Sequence, residues 1–191
     1  MKKIALAVLL ASGLMAADNG MYVGFDLGKT KGEVKYNVAV PAVSYYESGK
    51  ESDDGTSGTL KVGYYLNSNN RVYASVHVSN MDYTDTRNFG VGYDYLIGDN
   101  AFKPFVGLMM DYINNEIGED GVTIDVDGMY YGGQLGVNYA INNNFSLEAG
   151  YRYMKSNADY SLSKDFGGIV VTENVELDYM SNWFVGVNYK F

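Results

Sequence analysis

The sequence predicts an all-β chain closed into one antiparallel, up-and-down transmembrane barrel of eight strands, and three observations carry that expectation. Polar and apolar residues alternate with period two in eight segments, the links between segments alternate between short and long, and the 191 residues hold 23 glycines and 19 tyrosines against two prolines. Tyrosine favours strands, glycine relieves close backbone approach, and proline interrupts a ladder. With no cysteine, the chain has no disulfide, thiolate metal site or acylated cysteine to stabilise or anchor it.

The chain opens with Lys2 and Lys3, a short apolar run from Ile4 to Leu10, and small residues up to Ala17. That is the pattern of a secretory signal peptide, because the run is about half the ~20 residues that a spanning helix needs. Cleavage is expected after Ala16 or Ala17, which makes 1–16 the signal and 17–191 a single barrel domain.

The eight segments fall near 21–29, 59–66, 71–79, 88–96, 102–112, 129–140, 145–154 and 181–191. After the second, fourth and sixth come tight turns (Asn67 to Asn70, Gly98 to Asn100, Ile141 to Asn144), where Asn and Gly tolerate the backbone angles of a hairpin. After the first, third, fifth and seventh come polar links of about 29, 8, 16 and 26 residues. Short turns at one rim and long loops at the other are the plan of an outer-membrane barrel, with turns facing the periplasm and loops facing outward.

The two faces differ in kind. In the last segment Trp183, Val185, Val187, Tyr189 and Phe191 alternate with Asn182, Gly186, Asn188 and Lys190; in the seventh, Phe145, Leu147, Ala149, Tyr151 and Tyr153 alternate with Ser146, Glu148, Gly150, Arg152 and Met154. Eight strands enclose only enough room for side chains, so the glycine-rich, charged face is expected inside and the aromatic face against lipid. A soluble lipocalin-like carrier would reverse that order. Phe102, Phe145, Tyr189 and Phe191 near the turn rim, with Tyr112, Tyr131, Tyr153 and Trp183 near the loop rim, suit two interfacial girdles.

With its leader, its segregated links and its ending Phe184-Val185-Gly186-Val187-Asn188-Tyr189-Lys190-Phe191, the whole mature chain resembles the OmpA/OmpX-type small outer-membrane barrels. The resemblance implies residence in the outer membrane among lipid and lipopolysaccharide. It also implies insertion by the barrel-assembly machinery, for which Val187, Tyr189 and Phe191 match the C-terminal signal. No cofactor is implied, and a monomer is expected.

The wall carries Lys61, Arg71, Lys103, Arg152 and Lys190 against Asp26, Asp94, Asp111 and Glu148, while residues 31–58, 80–88, 113–128 and 155–180 carry net charges of −2, −1, −5 and −3. Charges in a narrow interior must pair, so a lumen network of Asp26, Lys61, His77, Asp94, Lys103, Asp111, Glu148 and Arg152 is expected. Partner exchange of Lys61, Arg152 or Lys103 among Asp94, Asp111 and Glu148 would give a narrow gated ion path; a purely structural plug is the simpler expectation. The acidic loops are the expected interaction surface, for a ligand the sequence does not name, and their sign disfavours nucleic acid. Glu116, Glu119, Asp120, Asp125 and Asp127 offer calcium-type oxygen ligands without the spacing of an EF-hand.

One motif suggests an enzyme. His77-Val78-Ser79-Asn80 resembles the His-x-Ser-Asn motif of lipid A deacylases, with Asp82 or Asp85 as the third member of a triad. It lies on the third segment rather than late in the chain, and alternation turns His77 and Ser79 into the lumen, away from acyl chains. A non-enzymatic barrel is therefore expected.

Overall fold

The computed structural model describes residues 20–81, 85–119, 122–165, 167 and 169–191. It contains β1 (Met21–Val40), β2 (Tyr45–Asn67), β3 (Asn70–Met81), β4 (Asp85–Leu96), β5 (Phe102–Glu119), β6 (Val122–Ala140), β7 (Phe145–Ser156), β8 (Asp159–Asp165) and β9 (Val170–Lys190). Neighbours pair antiparallel in chain order from β1 to β7; β7 then pairs with β9, and β9 returns to β1. Eight strands thus form a closed wall, and β8 pairs with the distal end of β9 beyond the reach of β7, on the same side of β9 as β7. Residues 1–16, expected from the sequence to be a signal peptide, and the first residues of the expected barrel domain fall outside the described residues.

The short turns are built by asparagine. Asn67 Oδ1 accepts from the Asn69 amide at 2.9 Å and from Asn70 Nδ2 at 2.8 Å, and Asn142 Oδ1 accepts from the Asn144 and Phe145 amides at 2.9 and 2.8 Å. These side chains replace the backbone acceptors that a turn removes. The C-terminal strand is tied at the same rim, where the Phe191 amide donates to the Met21 carbonyl at 3.0 Å and Tyr189 packs edge-on between Phe145 and Phe191.

Outside and inside sort as lipid and lumen. Leu108, Trp183 and Val185 are 70%, 67% and 64% exposed on the outer wall, whereas Lys61, Arg71 and Asp94 are fully buried. A soluble carrier is overturned by this order, since nothing aqueous would tolerate that apolar exterior. Between Phe102 and Tyr112 ten steps of about 3.4 Å, tilted by about 40°, lift the chain roughly 26 Å, the height of an outer-membrane apolar band.

Two expectations need correction. The links 31–58, 113–128 and 155–180 are not irregular loops: β1 pairs with β2 from Met21↔Tyr64 through Val40↔Tyr45, β5 with β6 out to Glu119↔Val122, and β8 with β9. Beyond the membrane both faces of a strand meet water, so the period-two signal fades while the backbone ladder continues. The lumen is also not limited to small and charged residues. Leu96 and Phe105 pack with Tyr65 on its turn side, Phe184 joins them from a level between Glu148 and Arg152, and Met109, Ile113, Tyr130, Met154, Ala158 and Met180 pack on its loop side. Glycines make room for such groups and force the interior to be filled to normal packing density.

Candidate functional site

Among these apolar groups lies a compact layer of ion pairs. Glu148 is its hub: it accepts from Lys61, from Arg71 Nη2 at 2.9 Å and from Asn188 Nδ2 at 2.8 Å. Arg71 Nε reaches Asp94 at 2.8 Å, Lys61 Nζ reaches Asp26 at 3.0 Å, and Arg152 Nη2 reaches Asp26 at 2.8 Å. Gln134 links the two halves, donating to Asp94 at 2.7 Å and accepting from Arg152 Nε at 3.0 Å. Three cations meet three carboxylates, and Arg152 stacks 4.3 Å from the Phe184 ring centre. The carboxylate of Asp26 fits because it lies over Gly186, where a Cβ would collide with Oδ1 and with the Phe25 carbonyl.

The residues singled out from the sequence divide. Asp26, Lys61, Asp94, Glu148 and Arg152 come together, joined by Arg71, which had stood only among the wall charges. Lys103 does not join them. It donates to the Ser68 carbonyl at 2.8 Å on the turn rim, and Lys190 lies 5.5 Å over the Tyr65 ring. Both stems are long and near a strand end, so their ammonium groups reach water instead of the lumen. His77 and Asp111 are buried one step nearer the loops and make no ion pair among the described residues. Phe184 is the inward residue that was missed; its parity with Asn182, Gly186 and Asn188 was the available signal.

The His-x-Ser-Asn segment does not assemble a base and nucleophile. His77 Nδ1 bonds to Thr59 Oγ1 at 2.8 Å, Ser79 Oγ bonds to Thr86 Oγ1 at 2.5 Å, and both residues face the lumen. Asp82, Asp120 and the side chains of Asp85, Glu116, Glu119, Asp125 and Asp127 lie outside the described residues.

Beyond the band, the distal parts of β9, β1 and β2 run on as an arm. Lys35 Nζ bridges to Asp178 at 2.9 Å, where Asp178 is the extra residue of a bulge opposite Glu33 and Val34, and Lys50 Nζ reaches Glu33 at 2.7 Å. Lys35 holds the Asp178 carboxyl below its ordinary range, and Glu33 holds the Lys50 ammonium above its own. The Asp178 tie is therefore complete above the unfolded carboxylate value near 3.9 and weakens as pH falls through its lowered value; the Lys50 tie is complete below about 10.4 and weakens as pH rises through its raised value. NMR shifts of the arm amides around Val34 to Tyr36 are expected to be flat from about pH 5 to 9 and to move below about pH 4. A transition near neutrality would contradict this.

The profile of the outer membrane protein beta-barrel domain family matches residues 4–191. No curated protein sequence matches. Among solved structures the chain is similar to Neisserial surface protein A, with a TM-score of 0.59 and 21% identity over 90% of this chain and 97% of that one. It is similar to OprG of Pseudomonas aeruginosa, with a TM-score of 0.61 and 16% identity over 91% and 96% of the two chains. AlkL, determined in lipid bilayers, gives a TM-score of 0.56 and 16% identity over 92% of each chain.

Proposed function

The chain belongs to the outer membrane protein beta-barrel family, and on that premise we propose that it is a surface-binding barrel. The filled lumen anchors and seals, and the outer arm takes up a basic, extended peptide segment along the free edge of β2. The observation that carries this reading is a mismatch of strand lengths. β2 pairs with β1 as far as Tyr45, yet its ladder to β3 stops at Gly55↔Met81. Among the described residues no strand lies against 45–54 on the side away from β1.

A free edge presents unpaired amides and carbonyls in strand spacing, the feature that strand addition uses. Its exposed side chains set the sign of the partner: Glu47, Glu51 and Asp54 stand against Lys50, which is already tied to Glu33. A second copy of this acidic edge would be repelled, whereas a basic strand gains both backbone bonds and charge. The buried ion-pair layer favours an anchor over an ion path, because moving any one cation would strand a carboxylate in a dry interior.

The test is binding of a labelled Lys/Val-alternating peptide to the protein in vesicles, beside the same peptide with proline at alternate positions. Binding is expected for the first, weakening with salt, and its loss is expected in the Glu47→Gln, Glu51→Gln, Asp54→Asn variant. Equal binding of the proline peptide would leave only charge attraction and overturn the edge reading.

A further inference from the structure

The lumen holds one carboxylate too many. Lys61, Arg71 and Arg152 are matched by Asp26, Asp94 and Glu148, which leaves Asp111, 2% exposed, with no Lys or Arg at ion-pair distance among the described residues. Arg152 cannot be spared for it, since its nitrogens are committed to Gln134, Thr59 and Asp26 at 3.0, 3.1 and 2.8 Å. A buried carboxylate with no counter-charge at ion-pair distance, and with Oδ1 lacking any hydrogen bond, is a costly arrangement for a fold to hold.

Asp111 is not alone. Its Oδ1, both side-chain atoms of Asn88 and Nε2 of His77 make no hydrogen bond although all are buried. They lie on one face of three adjacent strands: His77 pairs with Asn88, and Asp111 pairs with Gly90, two residues along from Asn88. Gly90 lets the carboxylate lean onto β4, because a Cβ there would collide with Asp111 Oδ1. Ser79 and Thr86, bonded to each other at 2.5 Å, continue the polar strip toward the loop rim.

The tautomer of His77 narrows the chemistry. A guanidinium only donates, so Thr59 Oγ1 accepts from Arg152; among the described residues its hydroxyl proton finds no acceptor other than His77 Nδ1 at 2.8 Å, and on that ground we assign the imidazole proton to Nε2. That nitrogen is a donor, which suits a carboxylate or a water and not a metal. The remaining ligand atoms are oxygens, and the charge lacking is a single positive one.

We infer that Asp111 and Asn88 bind one small monovalent cation such as Na⁺ or K⁺ inside the barrel, with water completing its shell and His77 Nε2–H holding that shell in place. Oxygen donors of this kind suit hard cations, and a divalent ion would leave the interior with an excess charge of the opposite sign. The occupied site would stabilise the folded barrel in proportion to the logarithm of cation concentration above its dissociation constant.

The experiment measures the thermal unfolding midpoint of the refolded protein in micelles, in NaCl, KCl and choline chloride at equal ionic strength. A higher midpoint in Na⁺ or K⁺ than in choline is expected, rising with the logarithm of concentration once that exceeds the dissociation constant. Asp111→Asn abolishes the difference, and Asp99→Asn on the exposed turn rim preserves it. Asn88→Ser, which keeps every charge, raises the concentration at which that rise begins about tenfold or more, and carries the test if Asp111→Asn does not refold. A midpoint equal in all three salts, or a cation response that survives both lumen substitutions, overturns the site.

Discussion

Replacing Glu148 with leucine is expected to cost the barrel about 3–5 kcal/mol, the range for breaking a buried ion pair from one side. Glu148 is fully enclosed and is the one carboxylate that accepts from both Lys61 and Arg71. Lys61 would keep Asp26 and Arg71 would keep Asp94, but the layer would hold three cations against two carboxylates. Glu148→Gln should fall between, since the amide oxygen still accepts while the charge is gone. Urea unfolding in lipid vesicles measures both. A loss under about 1 kcal/mol for the leucine variant would mean that water reaches the layer and screens it.

Leu108→Arg is expected to cost about 2–4 kcal/mol in the same assay, the penalty for arginine at the midplane of an outer-membrane barrel. Leu108 is 70% exposed, midway along β5 between Phe102 and Tyr112, and would ordinarily count as a harmless surface position. Tyr46→Arg, at 68% exposure on the outer arm, should stay within about 0.5 kcal/mol. The contrast between two equally exposed sites reads the solvent of each surface. Equal, small effects would place the wall around Leu108 in water.

The sequence made the wall legible because lipid on one side and lumen on the other impose alternation on every strand that crosses. The same physics hid the arm, where Tyr45 to Asp54 meets water on both faces and only the ladder to β1 reveals a strand. In the lumen, the charges could be counted from alternation, but their partners could not. Arg71 and Lys103 look alike as inward cations near the turn rim, and what separates them is reach: the Arg71 guanidinium lies 5.4 and 5.2 Å from the ring centres of Tyr22 and Phe105, and Lys103 sits beside an exposed turn carbonyl. Phe105 and Phe184 inside, and the methionine cluster above the ion pairs, follow from the need to fill space left by inward glycines. The lumen-facing parity of His77 and Ser79 was legible; their separate partners Thr59 and Thr86 depend on cross-strand register.

The most direct test of a sealed barrel that works through its outer arm is single-channel recording of the purified full-length protein in planar bilayers. The structure predicts a flat baseline with no discrete steps, because a three-against-three ion-pair plug and the apolar side chains packed around it fill the lumen. Sustained unitary conductance in the wild-type protein would contradict it and return the lumen to the centre of its function.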